Sequence, residues 1–121
     1  MIELKGRMYT CPIDVTFSLI GGKWKVLILS HLYRFKKRSY SEIRDNLPRI
    51  SEKMLSQQLK EMEADKLIEK KVLSSKPYRV EYVLAKNGKA FTPVMDFASK
   101  WGIKYLKANG IDYLKDQQLY K

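Results

Sequence analysis

Apolar residues recur along the chain with a helical period, then with a strand period, then with a helical period again. After Cys11, the run Pro12-Ile13-Asp14 suits a first helical turn, with an acidic residue near the positive helix end. Val15, Phe17, Leu19 and Ile20 continue this helix, and Gly21-Gly22 should stop it. A second helix is expected from near Lys23, because Trp24, Leu27, Ile28 and Leu32 fall at i, i+3, i+4 and i+8 and share one face. The basic run Arg34, Lys36, Lys37 and Arg38 then ends it in a solvated turn.

Ser39-Tyr40-Ser41-Glu42 has the spacing of a capping box, with Tyr40, Ile43 and Leu47 as the apolar stripe and Pro48 as the stop. Ser51 can cap the next helix, about 51–65, while Ile50 staples Leu55; Leu55, Leu59 and Met62 form its buried face. Two short capped helices joined by a tight connection make a helix-turn-helix candidate. The period changes over 68–84. Branched and charged residues alternate from Ile68 to Leu73 and from Arg79 to Leu84, which predicts two strands around the loop Ser74-Ser75-Lys76-Pro77-Tyr78. Such a hairpin is a wing with a positive tip. Past Asn87-Gly88 the helical period returns with Phe91, Val94, Met95, Ala98, Trp101 or Gly102, and Tyr105 on a wide apolar face, its start left open by Pro93 and its end expected at Gly110. A last short helix is expected within Ile111–Tyr120, carrying Tyr113, Leu114 and Leu119.

The expected architecture is α+β and mainly helical, a winged helix-turn-helix with further helices at both ends, in one domain over 1–121. The terminal segments hold more aromatics than one small core needs, which points to a second copy of the chain as partner. Composition sharpens this. Twenty-four Lys and Arg against thirteen Asp and Glu give a net charge of +11, which favours a polyanion, nucleic acid first. A single Cys11 and a single His31 cannot form an internal disulfide or a common zinc site, so no metal and no cofactor are expected. An enzyme is disfavoured too, since no nucleophile-base pair or phosphate-cradling glycine loop is present and no catalytic residue can be named. Met1–Tyr9 lacks the apolar run of a signal peptide, and the stretch Trp24–Tyr33 falls far short of a membrane span, so a cytoplasmic protein is expected.

Several segments, in order, resemble one family. Cys11-Pro12, Ile20-Gly21-Gly22-Lys23-Trp24, the run from Ile50 to Leu59, Val80-Glu81-Tyr82 and Trp101-Gly102 are similar to HxlR-type, MarR-like regulators across roughly Cys11–Asn109. The resemblance implies a homodimer, joined through its first and last helices, that binds double-stranded operator DNA and regulates transcription. Ala85 departs from the family pattern, which has a threonine there that would cap the following helix.

Within that fold, Lys53, Ser56, Gln57 and Lys60 lie opposite Leu55, Leu59 and Met62 and would enter the major groove. Taken alone, the same stripe reads as an ordinary solvated helix face. Ser51, which caps that helix, is counted among the DNA-binding residues with them, and Arg49, Lys76 and Arg79 are assigned to phosphate or minor-groove contact. Arg79 has an alternative, pairing across strands beside Glu81. Cys11 precedes a helix start, where the positive helix end favours a reactive thiolate and Asp14 opposes it. Some proteins of this family sense quinones, aldehydes or oxidants through a cysteine at this place, and burial in a helical interface is the alternative. Trp24, Phe91, Phe97, Trp101 and Tyr105 suit either an effector pocket or a core and interface, and the effector stays unnamed. A winged-helix module for RNA or a protein partner is the competing function.

Overall fold

The structure, a computed structural model, describes residues 1–116. Its backbone divides into two compact units, Met1–Lys89 and a second that begins at Ala90. The first opens with a hairpin, β1 (Ile2–Leu4) and β2 (Arg7–Tyr9), paired antiparallel with Ile2 opposite Tyr9. Its turn uses Lys5 and Gly6, both at positive φ, 50° and 79°. The sequence pattern predicts no element here, because three-residue strands are too short to display a period.

Helix α1 (Pro12–Leu19) carries Pro in its first turn as expected, and α2 (Trp24–Phe35) follows after the glycine pair. The buried stripe of α2 is Ile28, Leu29 and Leu32, so Leu29 replaces the expected Leu27, which is exposed, and Trp24 is only half-buried. Both choices fit a 3.6-residue period, and the direction of the rest of the core decides between them. The basic run is not a solvated turn. Lys36 takes φ 73° to end α2, and Lys37–Ser39 forms a strand, β3, paired with β5 (Tyr78–Leu84). Tertiary pairing overrides a local pattern with no apolar residue to betray it.

Ser39 caps α3 (Tyr40–Asp45) with the full capping box: its hydroxyl accepts from the Glu42 N–H at 3.2 Å, and Glu42 accepts from the Ser39 N–H at 3.0 Å. Ser51 caps α4 (Glu52–Ala64) by accepting from the Met54 N–H at 3.1 Å. Helix α4 ends where Lys66 turns to φ 57° and the Leu67 N–H returns to the Met62 carbonyl at 2.9 Å. The wing is β4 (Ile68–Ser75) against β5, in a sheet of order β3-β5-β4. Both strands run further than predicted, leaving Lys76-Pro77 as the tip. The register slips between Val72 and Ser74. Ile28, Leu29, Leu32, Ile43, Leu55, Leu59, Met62 and Ile68 are the fully buried core, with Tyr82 and Leu84 beneath the sheet.

Helix α5 (Lys86–Ala90) lies at the boundary of the two units. Gly88 lies inside it because a Cβ there would meet the Leu67 carbonyl oxygen at 2.2 Å. The long helix expected beyond Asn87 is therefore two: the chain breaks at Phe91 and α6 (Thr92–Ala108) starts with Pro93 in its first turn. Gly110, at φ 83°, ends α6 as predicted, with the Ile111 N–H on the Leu106 carbonyl at 2.9 Å. The final helix α7 spans Tyr113–Asp116, and Leu119 and Tyr120 lie outside the described residues. On α6, Val94, Phe97, Trp101 and Tyr105 are exposed on one face, and the Trp101 and Tyr105 rings stack at 5.2 Å.

Because Ser39 caps the helix that leads into α4, Ser39→Ala should cost about 1 kcal/mol of unfolding free energy in urea titrations. Glu42 should add an acid dependence. The Ser39 N–H and then the Arg38 guanidinium hold its carboxyl below the ordinary 4.5. Its contribution is full above that value and is lost as pH falls through the lower folded-state value, so Glu42→Gln should flatten the stability profile only in that acid range.

Candidate nucleic-acid interface

The core of the first unit sets the face that α4 shows to solvent. With Leu55, Leu59 and Met62 buried, Lys53, Ser56, Gln57 and Lys60 stand exposed on the far side. Arg49 is exposed in the connection between α3 and α4, and Ser51 is exposed at the cap. Lys76 is exposed at the wing tip, where its backbone N–H meets the Ser74 hydroxyl at 3.3 Å. Arg79 is exposed on β5 opposite Ser74, and the ion pairs among the described residues do not include one with Glu81. It lines a cleft of about 530 Å³ with Lys37, Ser41, Leu73 and Glu81, between the start of α3 and the wing.

Polar ties orient α4, and the sequence reading did not foresee them. Tyr40, read as part of an apolar stripe, is half-buried and sends its hydroxyl to α4, 3.3 Å from the Glu52 carbonyl and 3.3 Å from the Ser56 hydroxyl. With the Tyr40 proton on that carbonyl, Ser56 is the donor in the second bond, so its lone pairs face outward as acceptors. Arg44 pairs with Glu52 at 3.1 Å. On the opposite flank of α4, the Gln57 amide donates to Glu61 at 3.3 Å, and Glu61 pairs with Lys25 of α2 at 2.6 Å. The Lys25 ammonium first, and the Gln57 amide second, hold the Glu61 carboxyl below the ordinary carboxylate range. A tyrosine one residue after a cap, and a glutamate one helical turn beyond a glutamine, are the signals that could have flagged these partners.

The surface thus combines a rigid helix face of donors and acceptors with flanking cations. Exposed Lys and Arg side chains can meet phosphates, and Ser and Gln can read base edges. Cys11 lies at the N-cap of α1, exposed and without a side-chain cap bond. Asp14 accepts from the Thr10 N–H at 2.8 Å beside it.

Residues 19–110 match the model of the HxlR-like helix-turn-helix family. The chain belongs to that family. The HTH-type transcriptional regulator YtcD of Bacillus subtilis is 39% identical over 103 residues, 85% of this chain and 81% of the relative. The crystal structure of ytcD superposes with a TM-score of 0.76 over 81% of this chain and 99% of that one. The redox regulator HypR in its oxidised form gives a TM-score of 0.72 at 35% identity, over 78% of this chain and 96% of that one. Quinone-bound YodB from B. subtilis gives 0.66 at 33%, over 78% and 99%. The chain is accordingly a transcriptional regulator with a helix-turn-helix DNA-binding fold, and not an enzyme. No helix among the described residues is long and apolar enough to cross a membrane.

If the Tyr40 hydroxyl ties α3 to α4 through Ser56, Tyr40→Phe should lower stability by about 1 kcal/mol or less. Ser56→Ala should cost little more once Tyr40 is already Phe, because the two share one bond. Thermal melts of the two single variants and the double variant read this coupling; additive losses would show that the pair is not coupled.

Proposed function

We propose that the protein acts as a homodimer on an inverted-repeat operator, with α4 in the major groove and the wing on the flanking backbone or minor groove. The carrying observation is the exposed face of α4. Lys53, Ser56, Gln57 and Lys60 project from a helix capped at Ser51 and backed by the core, with Arg49 in the connection before it and Lys76 and Arg79 on the wing also exposed in the same unit. Gln57 suits bidentate contact with adenine, Ser56 accepts from an exocyclic amine, and Lys53 and Lys60 reach guanine or phosphate. Lys76 and Arg79 supply charge without sequence preference. The dimer is supported by apolar side chains left in water: Ile13 and Phe17 on α1, and Phe97, Trp101 and Tyr105 on α6. Two such subunits place two recognition helices about one turn of DNA apart, or a multiple of it.

Oxidants or electrophiles, in this reading, act through Cys11. It is exposed at the entry to α1, the helix that carries Ile13 and Phe17, and the similar proteins HypR and YodB have been solved in oxidised and quinone-bound forms. With no second cysteine in the chain, modification ends as a disulfide to another molecule or as an adduct.

Selection of bound duplexes from a random pool should return an inverted repeat. Gln57→Ala should relax one position in each half-site, at about 1 to 3 kcal/mol per lost bidentate contact. Lys76→Ala should weaken all sequences alike and flatten the salt dependence. An RNA-binding module would instead favour RNA competitor over duplex. Light scattering should give the mass of a dimer at micromolar concentration, and a monomer throughout would refute the two-half-site arrangement.

Quinone or peroxide treatment should lower operator affinity of the parent and spare Cys11→Ser. Equal loss in both proteins, or none in either, would remove Cys11 from regulation.

A further inference from the structure

Gln57 does not stand free on the recognition face. Its Nε2 donates to Glu61 Oε1 at 3.3 Å, one helical turn further along α4, and Glu61 Oε2 receives the Lys25 ammonium at 2.6 Å. The Lys25 side chain is only 13% exposed and comes from α2, the helix that packs against α4 in the core. One end of the chain of contacts is thus anchored in the interior, and the other is a base-reading amide at the surface.

The carboxylate imposes a direction. An ionised Glu only accepts hydrogen bonds, so the Gln57 amide must turn its nitrogen towards it; its oxygen there would oppose two acceptors. With one N–H held by Glu61, the amide presents outward its second N–H and its oxygen, a donor beside an acceptor. Adenine offers the complement in the major groove, N7 as acceptor and N6 as donor. Guanine offers two acceptors, N7 and O6, which an amide could satisfy only with both N–H groups. Lys25 has a second effect, since an unpaired Glu61 beside the reading face would repel phosphate. Arg7, from the N-terminal hairpin, adds to the positive field on Glu61 and lines a second cleft together with Lys25 and Glu61.

We propose that Glu61, held by Lys25, is a positioning residue that fixes which edge of the Gln57 amide faces the DNA, and so favours adenine over guanine at the base Gln57 reads. This rests on α4 being the recognition helix, and the experiment separates the two ideas. Binding motifs are selected from random duplex pools with the full chain as parent, Gln57→Ala, Glu61→Gln, Lys25→Met and Lys25→Arg, and with Gln57→Ala combined with Glu61→Gln. Glutamine at 61 can either donate or accept, so the bias on the amide disappears while shape is kept. Glu61→Gln and Lys25→Met should lower the adenine-to-guanine ratio about two- to tenfold, the gain expected from ordering one flexible side chain in advance. The change should fall at the position that Gln57→Ala relaxes and nowhere else. Lys25→Arg should keep the parent ratio, and the combined variant should match Gln57→Ala alone.

If Gln57→Ala relaxes a position and Glu61→Gln, with a parent-like melting curve, leaves its ratio unchanged, the positioning role is refuted and the recognition helix stands. A loss spread over all positions refutes it equally, as the sign of a merely structural residue. If Gln57→Ala relaxes nothing, the recognition-helix assignment fails and this inference fails with it. Should Lys25→Met not fold, Glu61→Gln decides alone, because the Glu61 side chain is partly exposed and the change keeps its shape.

Discussion

The packing of α4 against α2 is the constraint on which everything else in the first unit depends. Leu55, Leu59 and Met62 are buried together with Ile28, Leu29 and Leu32, and this choice of inward face dictates the outward one. Truncating a buried leucine typically costs 2 to 5 kcal/mol, whereas a surface hydrogen bond contributes about 1 kcal/mol. The core therefore decides where the proposed recognition surface points. Polar ties such as Tyr40 to Ser56 and Gln57 to Glu61 act within that frame and set only the orientation of individual groups.

Charge is sorted around this surface with a consistent logic. Three acids on or near α4 are paired, Glu52 with Arg44, Glu61 with Lys25, and Glu42 with Arg38, while Glu63 near the end of α4 has no ion pair among the described residues. Among the described residues, Arg49, Lys53, Lys60, Lys76 and Arg79 form no ion pair. Exposed salt bridges add little stability, so the value of these pairs lies in the field they leave behind. The charges of Glu52 and Glu61 are offset by partner cations while Arg49, Lys53 and Lys60 stay available, which suits the proposed DNA contact of a protein with a net charge of +11.

The second unit follows another rule. Helix α6 holds Phe97, Trp101 and Tyr105 in water at spacings of four residues, a stripe that an isolated soluble helix has no reason to carry. Lys100 and Lys104 line the shallow groove beside Phe97 and Trp101, so the stripe is apolar at its centre and cationic at its edge. That profile is the one a subunit interface has, an apolar core within a polar rim.

Much of this was legible in the residues alone. Ser39, Glu42 and Ser51 announce two helix starts because capping is a local interaction, complete within four residues. Leu55, Leu59 and Met62 announce the inward face of α4, and with it the exposed positions of Lys53, Ser56, Gln57 and Lys60, because helical periodicity needs no knowledge of the partner. Gly110 marks the end of α6 for the same local reason. The tertiary structure alone decided what depends on distant partners. Lys37–Ser39 became a strand only by pairing with β5, more than forty residues away, and Leu29 displaced Leu27 from the core because of where α4 and the sheet lie. Gly88 is required by the Leu67 carbonyl across a close approach that no local pattern encodes. Lys25 and Glu61, 36 residues apart, meet at 2.6 Å beside Gln57. Sequence determines faces, since a face is a property of one element, and packing determines neighbours, since a neighbour is a property of two.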